Sequence, residues 1–336
     1  VTGQQAGFLA AQARGDTTPP AGFLRECGLQ VQGGTNPMTL RCLSQRFQRT
    51  IRKPVEIRGY GYRTGAAIRV YFRPASADTG IVFVRDDLPG SEPVPATADR
   101  VTGTNRRTTL GHPPAQVEMV EHVLAALHAL RIDNCVIEID GPELPGLDGS
   151  SRDFVGILHA AGLRIQKASR SIWGVTEPIT VSDGRGTLTL YPSEDLQLKV
   201  SYLLDYGPQS PLSSQRQTAV VSPEGFVNDV ACCRTFLLEA EAEALKRQGF
   251  GRNTSPSDLL VFGPRGPIGN QLRFADEPAR HKILDIMGDL ALFGLDLCGH
   301  VVGCKSGHAL NVALVRQLKE ELHQAATGCR PLARAA

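Results

Sequence analysis

Apolar residues in this chain recur with two different periods, and the switches between them mark out the elements. From Arg49 onward Ile51, Val55 and Ile57 alternate with polar neighbours. Gly59 to Gly65 makes a loop, Ile68-Arg69-Val70-Tyr71-Phe72 alternates again, and Ile81 to Val84 reads as a more buried strand. After the prolines at 89, 93 and 95 the period lengthens. Val120, Val123, Leu124 and Leu127 fall on one stripe, which predicts a helix from about Val117 to Leu130. Asp133-Asn134 then turns the chain into a strand over Cys135 to Ile139. Ser150-Ser151-Arg152-Asp153 reads as a capping box opening a helix to Ala161.

The second half repeats this order. Strands are predicted at Ile179 to Val181, Leu188 to Tyr191 and Leu196 to Leu204. Ser222-Pro223 is an N-cap with proline at the first helical position, Thr235 to Leu238 is a short extended piece, and Glu239 to Arg247 reads as helical. A strand at Leu259 to Phe262 and a Gly/Pro-rich loop precede a helix whose apolar stripe is Ile283, Leu284, Ile286, Met287 and Leu290. The strand Val301 to Gly303 and a helix from His308 to about Gln324 close the chain. Strands, helix, strand, helix thus occur twice, which predicts an α+β fold made of a duplicated unit, residues 45–168 and 172–326. Residues 1–44, rich in Gly, Gln, Thr and Pro without periodicity, read as a weakly ordered extension.

Composition narrows the class without naming a function. At 336 residues with 41% hydrophobic and 21% charged positions, the chain has enough apolar residues to build a sizeable core. A net charge of +2 gives no general pull toward nucleic acid. From Arg41 to Arg73, however, nine Lys/Arg face a single acid, Glu56. Charge-protected strand edges account for that bias, and a face meeting an anionic ligand or lipid headgroups is the alternative. The eight cysteines form no C-x-x-C pair, and no run is long enough to span a membrane or to serve as a secretory leader. The expectation is a cytoplasmic protein with reduced thiols.

The candidate chemistry centres on the helix carrying His281, Asp285 and Asp289. They stand four residues apart, so they share one stripe. An imidazole and a carboxylate at i and i+4 can reach one metal ion, although such a pair alone is more often an ordinary polar helix face. A catalytic zinc commonly takes three His/carboxylate ligands and leaves a position for water, and His122 would complete that set. Glu121, beside it, is placed to take a proton from metal-bound water; a first-turn acid favoured by the helix dipole is the plainer reading. His308, just before an apolar helix, could donate a proton to a leaving group. Thr235 could offer its hydroxyl to a developing oxyanion, or be merely a strand threonine. Lys282 could meet a phosphate as a point charge. His112, His128, His159, His300 and His323 lack a carboxylate at ligand spacing and read as structural. No P-loop, strand-borne G-x-G-x-x-G or G-x-S-x-G is present, which removes nucleotide hydrolysis, dinucleotide redox chemistry and serine hydrolysis.

Six blocks in order carry a family resemblance: Met119-Val120-Glu121-His122; Ile132-Asp133-Asn134; Leu147-Asp148-Gly149-Ser150; Arg234-Thr235-Phe236; His281-Lys282-Ile283-Leu284-Asp285 with Gly288-Asp289-Leu290; and Lys305-Ser306-Gly307-His308-Ala309-Leu310-Asn311. Together, over about Gln45 to Gln324, they resemble the zinc-dependent UDP-3-O-acyl-N-acetylglucosamine deacetylases of lipid A biosynthesis. The resemblance implies two β-α-α-β sandwich domains facing each other, the zinc between them, and an acyl-chain passage near Phe236 to Leu260. It implies Zn2+ held by His122, His281 and Asp285, with Glu121 as general base in the attack by metal-bound water. His308 would be the cationic acid, oriented and charged by Asp289, and Thr235 would steady the oxyanion. Lys282 would face the diphosphate, Phe236 would line the passage and Tyr206 would stack near the uracil. The implied partner is an acylated UDP-sugar, bound by a monomer that touches the inner-membrane surface transiently and binds no nucleic acid. Iron(II) could fill such a site as well as zinc. Two departures stand out. Arg63 occupies the position of a family histidine in the Gly59–Gly65 loop, and the Gly-rich run Gly249 to Gly251 continues into Arg252-Asn253-Thr254. Both bear on the acyl or sugar preference, with deacetylation of another amide-bearing sugar nucleotide as the alternative activity.

Overall fold

The computed structural model of the chain describes residues 39–328, Ser257 excepted. The α+β class predicted from the periodicities is observed, with several sheets and comparatively few helices. The amino-terminal 38 residues of the predicted extension lie outside the described residues. Residues 40–44 do not behave as an extension, because they begin the strand Leu40–Ile51.

Alternation became strand wherever one face could be buried. In Ala67–Pro74 the side chains of Ile68, Val70 and Phe72 point inward and are almost wholly buried, while Arg69, Tyr71 and Arg73 face outward. That strand belongs to a five-stranded sheet ordered Val55–Tyr60, Ala67–Pro74, Cys135–Ile139, Ile81–Arg85, Val94–Pro95. A seven-stranded sheet is built around Asp296–Cys304. Leu163–Val175 and Leu198–Leu204 pair with it in parallel and Thr187–Tyr191 antiparallel. Leu40–Ile51, Ile179–Ser182 and Gln215–Val220 extend the sheet outward.

Leu163–Val175, thirteen residues long, has no counterpart in the sequence reading, and the 168/172 boundary falls inside it. Its Arg164, Lys167 and Arg170 break any apolar alternation, so the pattern gives no strand signal. Tertiary charge pairing holds it instead. The Arg46 guanidinium donates two 2.7 Å bonds to Asp133, and Arg170 Nε lies 2.6 Å from Asp296 and 3.0 Å from Asp133. This largely buried knot ties the strand to both of its neighbours. Asp133 also accepts the Arg49 backbone N–H, and Asn134 caps the Gly80 N–H at 2.8 Å. The Ile132-Asp133-Asn134 block is therefore a structural clasp.

The helices are α1 (Glu121–Ala129), α2 (Arg152–Ala161), α3 (Pro223–Asp229), α4 (Glu239–Arg247), α5 (Glu277–Leu290) and α6 (His308–Gly328). Helix α4 has the predicted bounds, and Ser222 caps α3 by accepting the Gly225 N–H at 3.0 Å. Two expectations are corrected. The first helix starts at Glu121, because Val117–Glu118 forms a short strand and Met119 takes a left-handed φ of 62° that no helix continues through. The capping box at α2 does not form. The Ser151 hydroxyl donates to the His122 carbonyl at 2.8 Å and so braces α1.

Helices α1 and α5 pack directly on each other, and Gly288 permits it. A Cβ there would sit 2.7 Å from the carbonyl carbon of Glu121 and nearer still to its oxygen. The two backbones therefore touch where the candidate residues of both helices meet. α6 also packs on α5, and Ile283, Leu284, Met287 and Leu290 of α5 are buried in the hydrophobic core.

Candidate metal centre and active site

Helix α5 presents His281 and Asp285 one turn apart, and α1 presents His122 across the contact at Gly288. Ligand atoms of the three lie within 4.8 Å of one another. His281 Nε2 stands 3.3 Å and His122 Nε2 3.9 Å from Asp285 Oδ1. All three side chains are buried. His281 Nδ1 lies 3.0 Å from the Cys233 carbonyl, which can only accept, so Nδ1 carries the proton and Nε2 offers its lone pair inward. Burial and then the neighbouring His281 push the His122 imidazole down to about 3, and burial also lowers His281. Burial works against the Asp285 anion, but Lys282 and then His281 more than compensate and hold it well below the usual carboxylate range. Two neutral imidazoles and one carboxylate make a donor set that suits zinc.

Beside this cluster lies a proton-handling pair. Burial is the largest influence on Glu121. It raises the carboxyl to about 7, with His308 opposing the rise and Asp289 and Asp285 adding to it. Glu121 Oε2 accepts the Thr108 backbone N–H at 3.0 Å, and Oε1 stands 3.9 Å from His308 Nε2. Burial disfavours a cationic His308, but Asp289 outweighs it through charge and a 2.8 Å bond to Nδ1, and the imidazole is raised to about 9. Asp289 is fully enclosed. It accepts the Thr108 hydroxyl at 2.6 Å on Oδ1 and the Asn311 amide at 2.8 Å on Oδ2. Asn311, from the last sequence block, thus supports His308 from one turn along α6.

The other candidates line a cavity of about 780 Å³ that opens from the cluster. Thr235 is held from both sides. Its N–H donates to the Gly149 carbonyl at 2.8 Å, and its own carbonyl accepts the Leu260 N–H at 2.9 Å. Gly149 has φ 79°, and a Cβ there would lie 2.7 Å from the Asp258 carbonyl oxygen and 3.0 Å from the Thr235 methyl, so only glycine fits. Arg234 points away into protein, where Glu277 accepts its Nε at 2.8 Å and its backbone N–H at 3.0 Å. Phe236 sets its ring edge-on to His281, Tyr206 and Phe262. Tyr206 is almost half exposed at the cavity wall. Lys282 also lines the cavity, but its ammonium is tied to Asp285 at 2.7 Å and stands 5.8 Å over the Phe236 ring. Burial disfavours its charge and Asp285 restores it, leaving the group raised above the ordinary lysine range. Arg63 lines the same cavity. Its Nε donates to Glu118 at 2.9 Å, alongside Arg107 on the same carboxylate oxygen at 2.7 Å.

The structure therefore brings together His122, His281, Asp285, Glu121, His308 and Asp289, with Thr235, Phe236, Lys282 and Tyr206 around the adjoining cavity. Sequence reading missed Thr108, the Cys233 carbonyl, Glu118 and Glu277. Thr108, Glu118 and the Cys233 carbonyl have no residue-spacing signal, since each reaches the site from a different element, whereas Glu277 stands four residues before His281 on α5 and its spacing could have flagged it. Among the described residues no helix is long and apolar enough to cross a membrane, and the described cysteines 42, 135, 232, 233, 298 and 304 are free thiols.

The family model for UDP-3-O-acyl N-acetylglycosamine deacetylase matches residues 48–320. The UDP-3-O-acyl-N-acetylglucosamine deacetylase of Citrifermentans bemidjiense is 41% identical over 273 residues, 81% of this chain and 88% of that protein. The one from Bdellovibrio bacteriovorus is 40% identical over 273 residues, 81% and 89% of the two chains. The Chlamydia pneumoniae protein of the same name is 39% identical over 280 residues, 83% and 99%.

Proposed function

The chain belongs to the UDP-3-O-acyl N-acetylglycosamine deacetylase family, and from that premise we propose that it removes acetate from UDP-3-O-(3-hydroxyacyl)-N-acetylglucosamine, a step of lipid A biosynthesis, by zinc-dependent amide hydrolysis. The observation that carries the reading is the convergence of a His/His/Asp donor set with a raised carboxyl and a raised imidazole at one buried point. His122, His281 and Asp285 would hold the metal, and the Cys233 carbonyl fixes the tautomer that a ligand histidine needs. When bound, zinc supplies Lewis acidity, which polarises a carbonyl and acidifies a coordinated water.

The chain's own residues supply the remaining steps. Glu121, ionised above about pH 7, takes the proton from the attacking water, with its second oxygen steadied by the Thr108 N–H. The Thr235 hydroxyl donates to the oxyanion that forms at the acetamide carbon, and the Gly149 and Leu260 bonds keep the Thr235 backbone from moving as charge develops. His308, cationic below about pH 9, gives its proton to the departing amine, and Asp289 holds the ring. The cavity past Phe236 would take the acyl chain, Tyr206 the uracil face, and Lys282 one edge of the diphosphate. Two large sheets, with α2 packed on the five-stranded one, α5 and α6 on the seven-stranded one, and α1 in contact with α5, support reading the fold as two facing β-α-α-β sandwiches. A cytoplasmic monomer with transient membrane contact fits a lipid-bearing substrate. Arg63 at the cavity wall favours one alternative, a different amide-bearing sugar nucleotide as preferred substrate.

The test is acetate release from the UDP-linked substrate, with and without chelator, alongside metal analysis of the protein. Expected are about one zinc per chain, loss of turnover on chelation and recovery on adding zinc back. Glu121→Ala should keep the metal and lose turnover. Full activity in chelator, or in Glu121→Ala, refutes the mechanism. Preference for a substrate without the ester-linked chain selects the alternative.

A further inference from the structure

Thr108, which the proposed chemistry uses only through its backbone N–H, makes three separate attachments to the site. That N–H donates to Glu121 Oε2 at 3.0 Å. Its carbonyl accepts the N–H groups of Met119 (3.0 Å) and Val120 (3.3 Å), the two residues that lead into α1. Its hydroxyl donates to Asp289 Oδ1 at 2.6 Å, with the hydroxyl oxygen 3.3 Å from His308 Nδ1. The residue is fully buried, so none of these groups has water as an alternative partner.

The direction of the hydroxyl bond follows from the chemistry of its neighbours. An ionised Asp289 can only accept, so the Thr108 proton goes to Oδ1. This leaves the hydroxyl oxygen as a secondary acceptor for the His308 Nδ1–H, which already points at Oδ2. The Asp289 carboxylate is thereby held at both oxygens, by Thr108 on one and by Asn311 and His308 on the other. A carboxylate so fixed cannot rotate, and neither can the imidazole whose orientation it sets. Thr108 lies on the segment leading into the strand Thr109–Leu110, remote in sequence from both α5 and α6.

We propose that Thr108 is a positioning residue, whose hydroxyl locks the Asp289–His308 pair while its backbone locks Glu121, so that base and acid keep a fixed separation across the reacting carbon. The inference deepens the deacetylase reading and rests on it for its kinetic consequence, while the immobilisation of His308 stands independently.

Three variants isolate the hydroxyl. Thr108→Val removes it and keeps the shape and the backbone bonds, Thr108→Ser restores it, and Thr108→Ala is the substitute if the valine chain fails to fold. Loss of an outer-sphere partner of this kind typically costs about 10–100-fold. Expected in Thr108→Val is a fall of that order in kcat with KM and bound metal unchanged, and Thr108→Ser should stay within a few-fold of the parent. A structural role alone would lower thermal stability in both variants without separating kcat from KM. The second arm needs no substrate. In 15N-histidine-labelled protein, the downfield Nδ1–H signal of His308, assigned by its loss in His308→Ala, should be sharp in the parent and Thr108→Ser. It should be broadened in Thr108→Val and in Thr108→Ala. If the parent releases no acetate, the deacetylase reading fails and the NMR arm still decides the Thr108 assignment. An unchanged His308 signal and unchanged kcat in the valine or alanine variant overturn it, as does a serine variant as impaired as the valine one.

Discussion

Gly288→Ala puts one methyl group where α5 meets the backbone of α1. The new Cβ would lie 2.7 Å from the Glu121 carbonyl carbon and 2.9 Å from its Cα, whereas real Cβ atoms essentially never approach other atoms within 3.0 Å. The nearest atom, the Glu121 carbonyl oxygen, would lie only 2.1 Å away, so even reaching 3.0 Å requires the helices to separate by about 1 Å. The atoms that clash are backbone, so no side-chain rotation relieves them. Overpacking of this kind costs about 1–3 kcal/mol, against roughly 1 kcal/mol recovered from the helix propensity of alanine. The functional cost is larger. Glu121 and His122 move as one piece with α1, away from His281 and Asp285 on α5. Metal coordination tolerates shifts of about 0.2 Å, and a misplacement of about 1 Å in a reacting group costs on the order of 100-fold in rate. Urea denaturation, metal content after dialysis and acetate release should therefore show a modestly destabilised chain that binds metal weakly and turns over about 100-fold more slowly. The internal control is Gly156→Ala on α2, where a Cβ meets nothing within 4 Å. That variant should gain up to about 1 kcal/mol with unchanged activity. A Gly288→Ala protein with parental metal affinity and rate would refute the claim that this contact sets the site.

The remaining predictions concern charge. Because Glu121 must be ionised and His308 protonated, kcat/KM should be bell-shaped with limbs near pH 7 and pH 9. Asp289→Asn removes what holds the imidazole up, and its basic limb should move down toward the ordinary histidine value of about 6.5; an unmoved limb counts against His308 as the acid. The same raised imidazole stabilises the fold below about pH 6.5, and that contribution is lost as pH rises through about 9. A urea series should show the decline in the parent and its absence in Asp289→Asn. Glu277→Gln leaves the enclosed Arg234 guanidinium without its anion and the segment bearing Thr235 without its anchor. It should cost roughly 3–5 kcal/mol in denaturant unfolding, and a loss under about 1 kcal/mol would show that the pair is not what holds this segment.

Where neighbours in sequence are neighbours in space, the sequence was sufficient. The spacing of His281, Asp285 and Asp289 fixes them on one helix stripe by geometry alone, and the alternation through Ala67–Pro74 fixes which residues face the core. The Ser222 cap and the bounds of α4 were equally local matters. Leu163–Val175 was illegible because its stability comes from Arg46, Asp133 and Asp296 on other elements, and a charged strand carries no periodic signature. Lys282 could be recognised as a cation beside a ligand. Its pairing with Asp285, three residues on in the same helix, was within reach of spacing alone, whereas the position of its ammonium over the Phe236 ring required the fold.

The candidate site divides along the same line. Residue types and local spacing determined which groups were available: imidazoles, carboxylates and a threonine in blocks that could serve a metal and a proton transfer. Tertiary structure alone decided that His122 reaches the 281/285 pair, that burial lifts Glu121, and that Thr108 joins base to acid. The physical reason is that pKa values and ligand distances depend on what surrounds a side chain in three dimensions, and the packing of α1 on α5 at Gly288, with α6 and the Thr108 segment beside it, supplies those surroundings.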